Sequence, residues 1–147
     1  MIEAALLTIL ESDTTLTAIV GERIYLSVIP QYSDDDSTTN SPCLVIVRTG
    51  TNYDDTECVG EEPTVDLNII ILADSFTQLA AIKNAIENKL RDNYSGIGTT
   101  TVTAGGVDYV IDDLELTDFR TEWSAQIEGN SKGLFRGLLV VVVRYET

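Results

Sequence analysis

The chain has 147 residues, 44% of them apolar and 22% charged, a composition that fits one globular domain around a single core and excludes wholesale disorder. Its 24 acidic and 9 basic residues give a net charge of -15, and the basic ones are scattered from Arg23 to Arg144, which excludes a phosphate-gripping stripe. Histidine is absent, which removes the commonest general base and metal ligand, and the longest apolar run, Leu138 to Val143, falls far short of the ~20 residues of a membrane span.

The apolar residues Ile2, Leu6, Ile9 and Leu10 recur at helical spacing, so a first helix runs from Ile2 to Leu10 with one stripe against a core. Asp13 then caps a second short helix whose apolar face is Leu16, Ile19 and Val20, and Gly21 suits its C-terminal end. Ile24 to Ile29 reads as a strand. The polar stretch Gln31 to Ser41, with Asp34, Asp35 and Asp36 at its centre, holds one large apolar residue, Tyr32, and reads as a mobile loop. A strand from Cys43 to Arg48 follows Pro42, and Gly50 to Pro63, carrying Asp54, Asp55 and Glu57, reads as a long hairpin connection. Thr64 to Leu72 alternates at first and then becomes apolar on both faces through Ile70 and Leu72.

Ser75 and Gln78 stand at capping-box spacing before Leu79, Ile82, Ala85, Ile86 and Leu90, which predicts the longest helix, closed by Asn93 to Gly98. Thr99 to Thr103 is β-prone, Gly105-Gly106 turns, and Val107 to Ile111 reads as a strand. Leu114 to Trp123 reads as a further extended segment, bent or bulged. After a turn at Gly129 to Gly133, the closing strand Arg136 to Tyr145 is apolar on both faces, with Leu138, Val140 and Val142 on one and Leu139, Val141 and Val143 on the other. Such a strand is either central or covered by a partner. The order ααβββαββ, with extra strand pieces near Thr99 and Trp123, predicts a single α+β domain over 1–147: a mixed, mainly antiparallel sheet packed by two or three helices. Strands outnumber helices, which leaves one sheet face for an intermolecular cover.

The chemical inventory is thin. Gly129-Asn130-Ser131-Lys132-Gly133 matches the G-x-S-x-G pattern, but a strand follows it and no histidine exists to complete a triad. Gly96-Ile97-Gly98 and Gly105-Gly106 lack the lysine of a phosphate loop. Asp34-Asp35-Asp36 lacks the alternating ligand spacing of a calcium loop, and Asp112-Asp113, adjacent on a strand, point to opposite faces. Cys43 and Cys58 make neither a disulfide framework nor a four-ligand metal site; Cys43 reads as a small buried hydrophobe and Cys58 as a free thiol. No enzyme, cofactor or metal is expected. The opening residues carry Glu3 and no basic start, so cytosolic synthesis is expected.

Taken in order, Ile2 to Leu10, Asp13 to Val20 with Gly21-Glu22-Arg23-Ile24-Tyr25, the strand after Pro42, Val65-Asp66-Leu67 leading into the Ser75 to Leu90 helix, and Phe135-Arg136-Gly137-Leu138 to Tyr145 resemble the tail-terminator, or tail-completion, proteins of long-tailed bacteriophages and related prophage particles. The resemblance implies a structural virion protein of the tail or neck, assembled in the host cytoplasm. It would form a hexameric ring on the head-proximal end of the tail tube, stop tube growth and present a docking face to the head-completion connector. DNA would pass through without specific binding, which gives the acidity a purpose as channel lining. Asp34, Asp35, Asp36, Asp54, Asp55 and Glu57 are then candidates for channel lining or loop contacts with neighbouring rings. Arg136, Val140, Val142 and Arg144 are candidates for the subunit interface. The runner-up is the head-completion ring itself; from another class, an acidic DNA mimic would need its carboxylates in a double row on one face.

Overall fold

Side chains alternate between covered and more open along most of the strands, and the helices pack on a single side of the one sheet they form. The computed structural model describes residues 2–26, 42–52, 64–93, 100–124 and 134–146. In chain order the elements are α1 (Ile2–Glu11), α2 (Thr14–Val20), β1 (Ile24–Leu26), β2 (Cys43–Asn52), β3 (Thr64–Ala73), α3 (Phe76–Asn93), β4 (Thr100–Ala104), β5 (Val107–Ser124) and β6 (Leu134–Glu146). The six strands are ordered β1-β2-β3-β6-β5-β4. The β1–β2 pair is parallel and every other pair is antiparallel, as the mixed, mainly antiparallel expectation requires.

Local chemistry sets the boundaries. The Asp13 carboxylate accepts from the Thr15 backbone N–H at 3.4 Å, and Gly21, at φ 61°, donates its N–H to the Thr17 carbonyl at 2.8 Å to close α2. Ser75 Oγ accepts from the Gln78 N–H at 3.2 Å while Gln78 Oε1 accepts from the Asp74 N–H at 2.9 Å, so the predicted capping spacing starts α3. Gly105 and Gly106, at φ 60° and 79°, both occupy the left-handed region that a two-residue hairpin between β4 and β5 demands.

Two elements differ from the sequence reading, and the strand piece expected near Thr99 forms. β2 continues past Arg48 to Asn52 through a register shift between Arg48 and Gly50, so the polar connection begins later than Gly50. Val107 to Ile111 and Leu114 to Trp123 are one strand, β5, kept continuous by absorbing two register shifts, at Ile111/Asp113 and Leu116/Asp118. Thr100–Ala104 is a full edge strand paired with Val107–Ile111. The segments Gln31 to Ser41, Asp54 to Glu62, Gly96 to Gly98 and Gly129 to Gly133, and with them Cys58, lie outside the described residues.

The core lies between the helices and one face of the sheet. Ile2, Leu6, Ile9 and Leu10 of α1, Leu16 and Val20 of α2, and Leu79, Ile82, Ile86 and Leu90 of α3 pack on Leu44 and Ile46, on Val65, Leu67, Ile69 and Ile71, and on Leu139, Val141 and Val143. Each such side chain stabilises the fold by roughly 1.5–3 kcal/mol relative to exposure. An ion pair enters this layer. Glu3, 5% exposed, accepts from Arg48 Nη2 at 2.9 Å and ties the first turn of α1 to β2. Among the described residues, no helix is long and apolar enough to cross a membrane.

Candidate interaction face

The face of the sheet opposite the helices is built from the other half of each alternation. Strand registers place its residues in rows: Tyr25, Val45, Ile70, Leu138 and Arg120 in one, and Val47, Asn68, Val140 and Asp118 in the next. Beyond these, Asp66, Val142 and Glu115 form a third row and Thr64, Arg144 and Asp113 a fourth. At the β2 side this face is closed, with Cys43 fully buried and Val45 4% exposed. Across β3 and β6 it is half-buried, at Ile70, Leu72, Leu138, Val140 and Val142.

All four predicted interface residues fall here. Arg136, Val140, Val142 and Arg144 are on one face of β6, the two valines half-buried and the two arginines exposed at opposite ends of the apolar strip. The sequence reading did not assign Ile70 and Leu72 to this site, although their break in the alternation of β3 was visible; they lie in register with Leu138 and Arg136. Glu115, Asp118 and Arg120, the neighbouring column on β5, were masked by the two register shifts that change which residues share a face. Arg120 donates to Asp118 at 2.8 Å, and both are exposed, so this pair contributes little stability. The six candidate carboxylates Asp34, Asp35, Asp36, Asp54, Asp55 and Glu57 lie outside the described residues.

A notch of about 150 Å³ between α3 and β5, lined by Glu87, Arg91, Leu116 to Phe119 and Leu139, is below the roughly 300–1,000 Å³ of small-molecule sites. Its wall is occupied internally: Lys83 pairs with Glu87 at 2.8 Å and stands 5.2 Å from the Phe119 ring centre. No group of three or more His, Cys, Asp or Glu side chains suited to a metal ion occurs among the described residues. Burial pushes the Cys43 thiol up to about 11, against a smaller opposing pull from Arg23, so it is an inert core group.

The sheet is thus covered by helices on one side and presents a half-buried apolar strip framed by two arginines on the other. Residues 4–146 match the family model for tail completion protein gp17, and the chain belongs to that family. It is accordingly a structural component of a tailed particle, not an enzyme. The fold is similar to that of a chain in the virion of a native gene transfer agent particle, with a TM-score of 0.61 at 19% identity over 99% of this chain and 94% of that one. No curated protein matches the sequence.

Proposed function

We propose that this protein is the tail terminator of its particle: a ring, hexameric by the family resemblance, that caps the head-proximal end of the tail tube, stops its polymerisation and docks the head-completion connector. The observation that carries the reading is the family match over nearly the whole chain, joined to a sheet face that the subunit's own helices leave uncovered. In this reading Arg136, Val140, Val142 and Arg144 lie at the subunit boundary. Asp34, Asp35, Asp36, Asp54, Asp55 and Glu57 contact neighbouring rings or line the channel, where excess negative charge conducts DNA without holding it. The likeness to a chain of a gene transfer agent virion is in keeping with a place inside an assembled particle.

A particle-producing system deleted for this chain is expected to make tubes of uncontrolled length that do not attach to filled heads. Normal-length tails joined to heads in the deletion would remove the terminator reading. Tubes of correct length that fail to join would point to the head-completion ring.

A further inference from the structure

We infer that the outer edge of β5 accepts an added strand, a basic extended segment of another protein, with one aromatic side chain of that segment seated in the notch between β5 and α3. This holds whether or not the chain forms a ring.

β5 is paired on both sides for only part of its length. β4 covers Val107 to Ile111, and among the described residues no strand runs beside Asp113 to Ser124 on that side. From Asp118 to Ser124 the register against β6 is unbroken, and Thr117, Asp118, Arg120 and Thr121 are exposed. The outward N–H and C=O groups of such an edge match an extended peptide, which gains affinity from its main chain and specificity from pockets for alternate side chains.

The register shift between Leu116 and Asp118 supplies the pocket. Strict alternation from Leu116 would send Asp118 to the helix side. The shift instead places Leu116 and Phe119 there, opposite Val141 and Leu139, and leaves Asp118 on the open face opposite Val140. Bulges next to functional sites re-aim side chains in this way. Leu116, Phe119 and Leu139 line the notch together with Arg91 of α3, and its volume of about 150 Å³ is that of a cavity able to hold one benzene ring. Phe119 and Arg91 favour an aromatic group there, through ring–ring and cation–π contact.

Charge selects the rest of the segment. Glu115 and Asp118 are exposed on the open face, and Arg120, the only cation of β5, is already paired with Asp118 at 2.8 Å. Neighbouring side chains on an added strand are therefore lysines or arginines, since opposite charges across strands stabilise and like charges destabilise. Two copies of this acidic edge laid side by side are repelled for the same reason.

The probe is a short capped peptide with lysine at alternate positions and a single phenylalanine among threonines at the others, so that the lysines share one face and the ring lies on the opposite one. Binding to the full chain is read by fluorescence anisotropy and by amide exchange. The expected result is slowed exchange within Asp118 to Ser124. Affinity should fall at least about tenfold when glutamate replaces lysine, alanine replaces phenylalanine or a central proline removes a backbone donor, and equally in a Glu115→Lys/Asp118→Lys protein. Thermal unfolding verifies that variant, and the peptide series decides alone if it does not fold. Undiminished binding of the alanine and proline peptides would reduce the effect to general attraction between a basic peptide and an acidic chain, and overturn the inference. Absence of binding, or protection away from β5, would do the same. Edge protection that grows with protein concentration without peptide would assign the edge to a second copy and also overturn it. None of these outcomes bears on the tail phenotype of the deletion, so the terminator reading stands or falls separately.

Discussion

The two sides of β6 carry the same residue types and do different work. Leu139, Val141 and Val143 lie under the helices and are at most 1% exposed, while Leu138, Val140 and Val142 alternate with them and stay half-buried on the open face. Hydrophobicity alone does not separate these sets. What separates them is that α1, α2 and α3 all pack on one side, so burial is complete there and only partial on the other.

The comparison breaks most sharply under charge insertion. Val141→Asp is expected to abolish cooperative folding, at a cost above about 4 kcal/mol, because an unpaired carboxylate is forced into a dry core. Val142→Asp, one residue further on, should leave a folded subunit with a cost below about 1.5 kcal/mol, since the new carboxylate can reach water. Denaturant midpoints for the two variants decide the matter. Equal destabilisation would show that the open face is part of the monomer's own core.

The covered side can be tested next through the ion pair that enters it. Glu3→Gln weakens the link from α1 to Arg48; Arg48 is 31% exposed and can turn to water, so the expected loss is about 2 kcal/mol and not the larger cost of a sealed pair. The measurement is the shift in urea midpoint, with hydrogen exchange in α1 rising first. An unchanged midpoint would mean that apolar packing alone docks this helix.

Gly137 lies where the covered side leaves no room for a side chain. A Cβ there would lie 2.8 Å from Leu79 Cδ1 and 3.2 Å from Phe119 Cε2. Gly137→Ala is expected to cost roughly 1–2 kcal/mol by overpacking, softened because the Leu79 methyl can yield. A stabilised variant would show that the entropy gained from removing glycine outweighs the clash.

The smallest effect concerns Cys43, whose thiol is raised from 9.0 to about 11. The unfolded chain releases this proton first, so the native state binds more protons between these values, and the thiol's contribution to stability falls as pH rises from about 9 to about 11. Native protein should react with a thiol reagent at Cys43 only as fast as it opens, whereas unfolded protein reacts freely. Fast native labelling would place Cys43 on the accessible part of the open face.

Much of this architecture was legible in the sequence. The capping residues Asp13 and Ser75, the helical stripes of α1 and α3, and the glycine pair at 105–106 declare their elements through local backbone chemistry, and each formed where expected. The second apolar side of β6, carrying Leu138, Val140 and Val142, was legible. Which side the helices would choose was not, because Leu138 to Val143 reads the same from either face. That Leu114 to Trp123 would be bent or bulged was legible, but not where its register shifts fall or that it continues Val107 to Ile111, since a bulge is placed by pairing with β6 and not by the residues of β5 alone. The sequence by itself thus determined the helices, the turns and the doubly apolar closing strand, all governed by interactions a few residues apart. Only the tertiary structure decided strand order, the parallel β1–β2 edge, and the assignment of Val141 to the core and Val140 to the open face, because those depend on contacts between segments far apart in the chain.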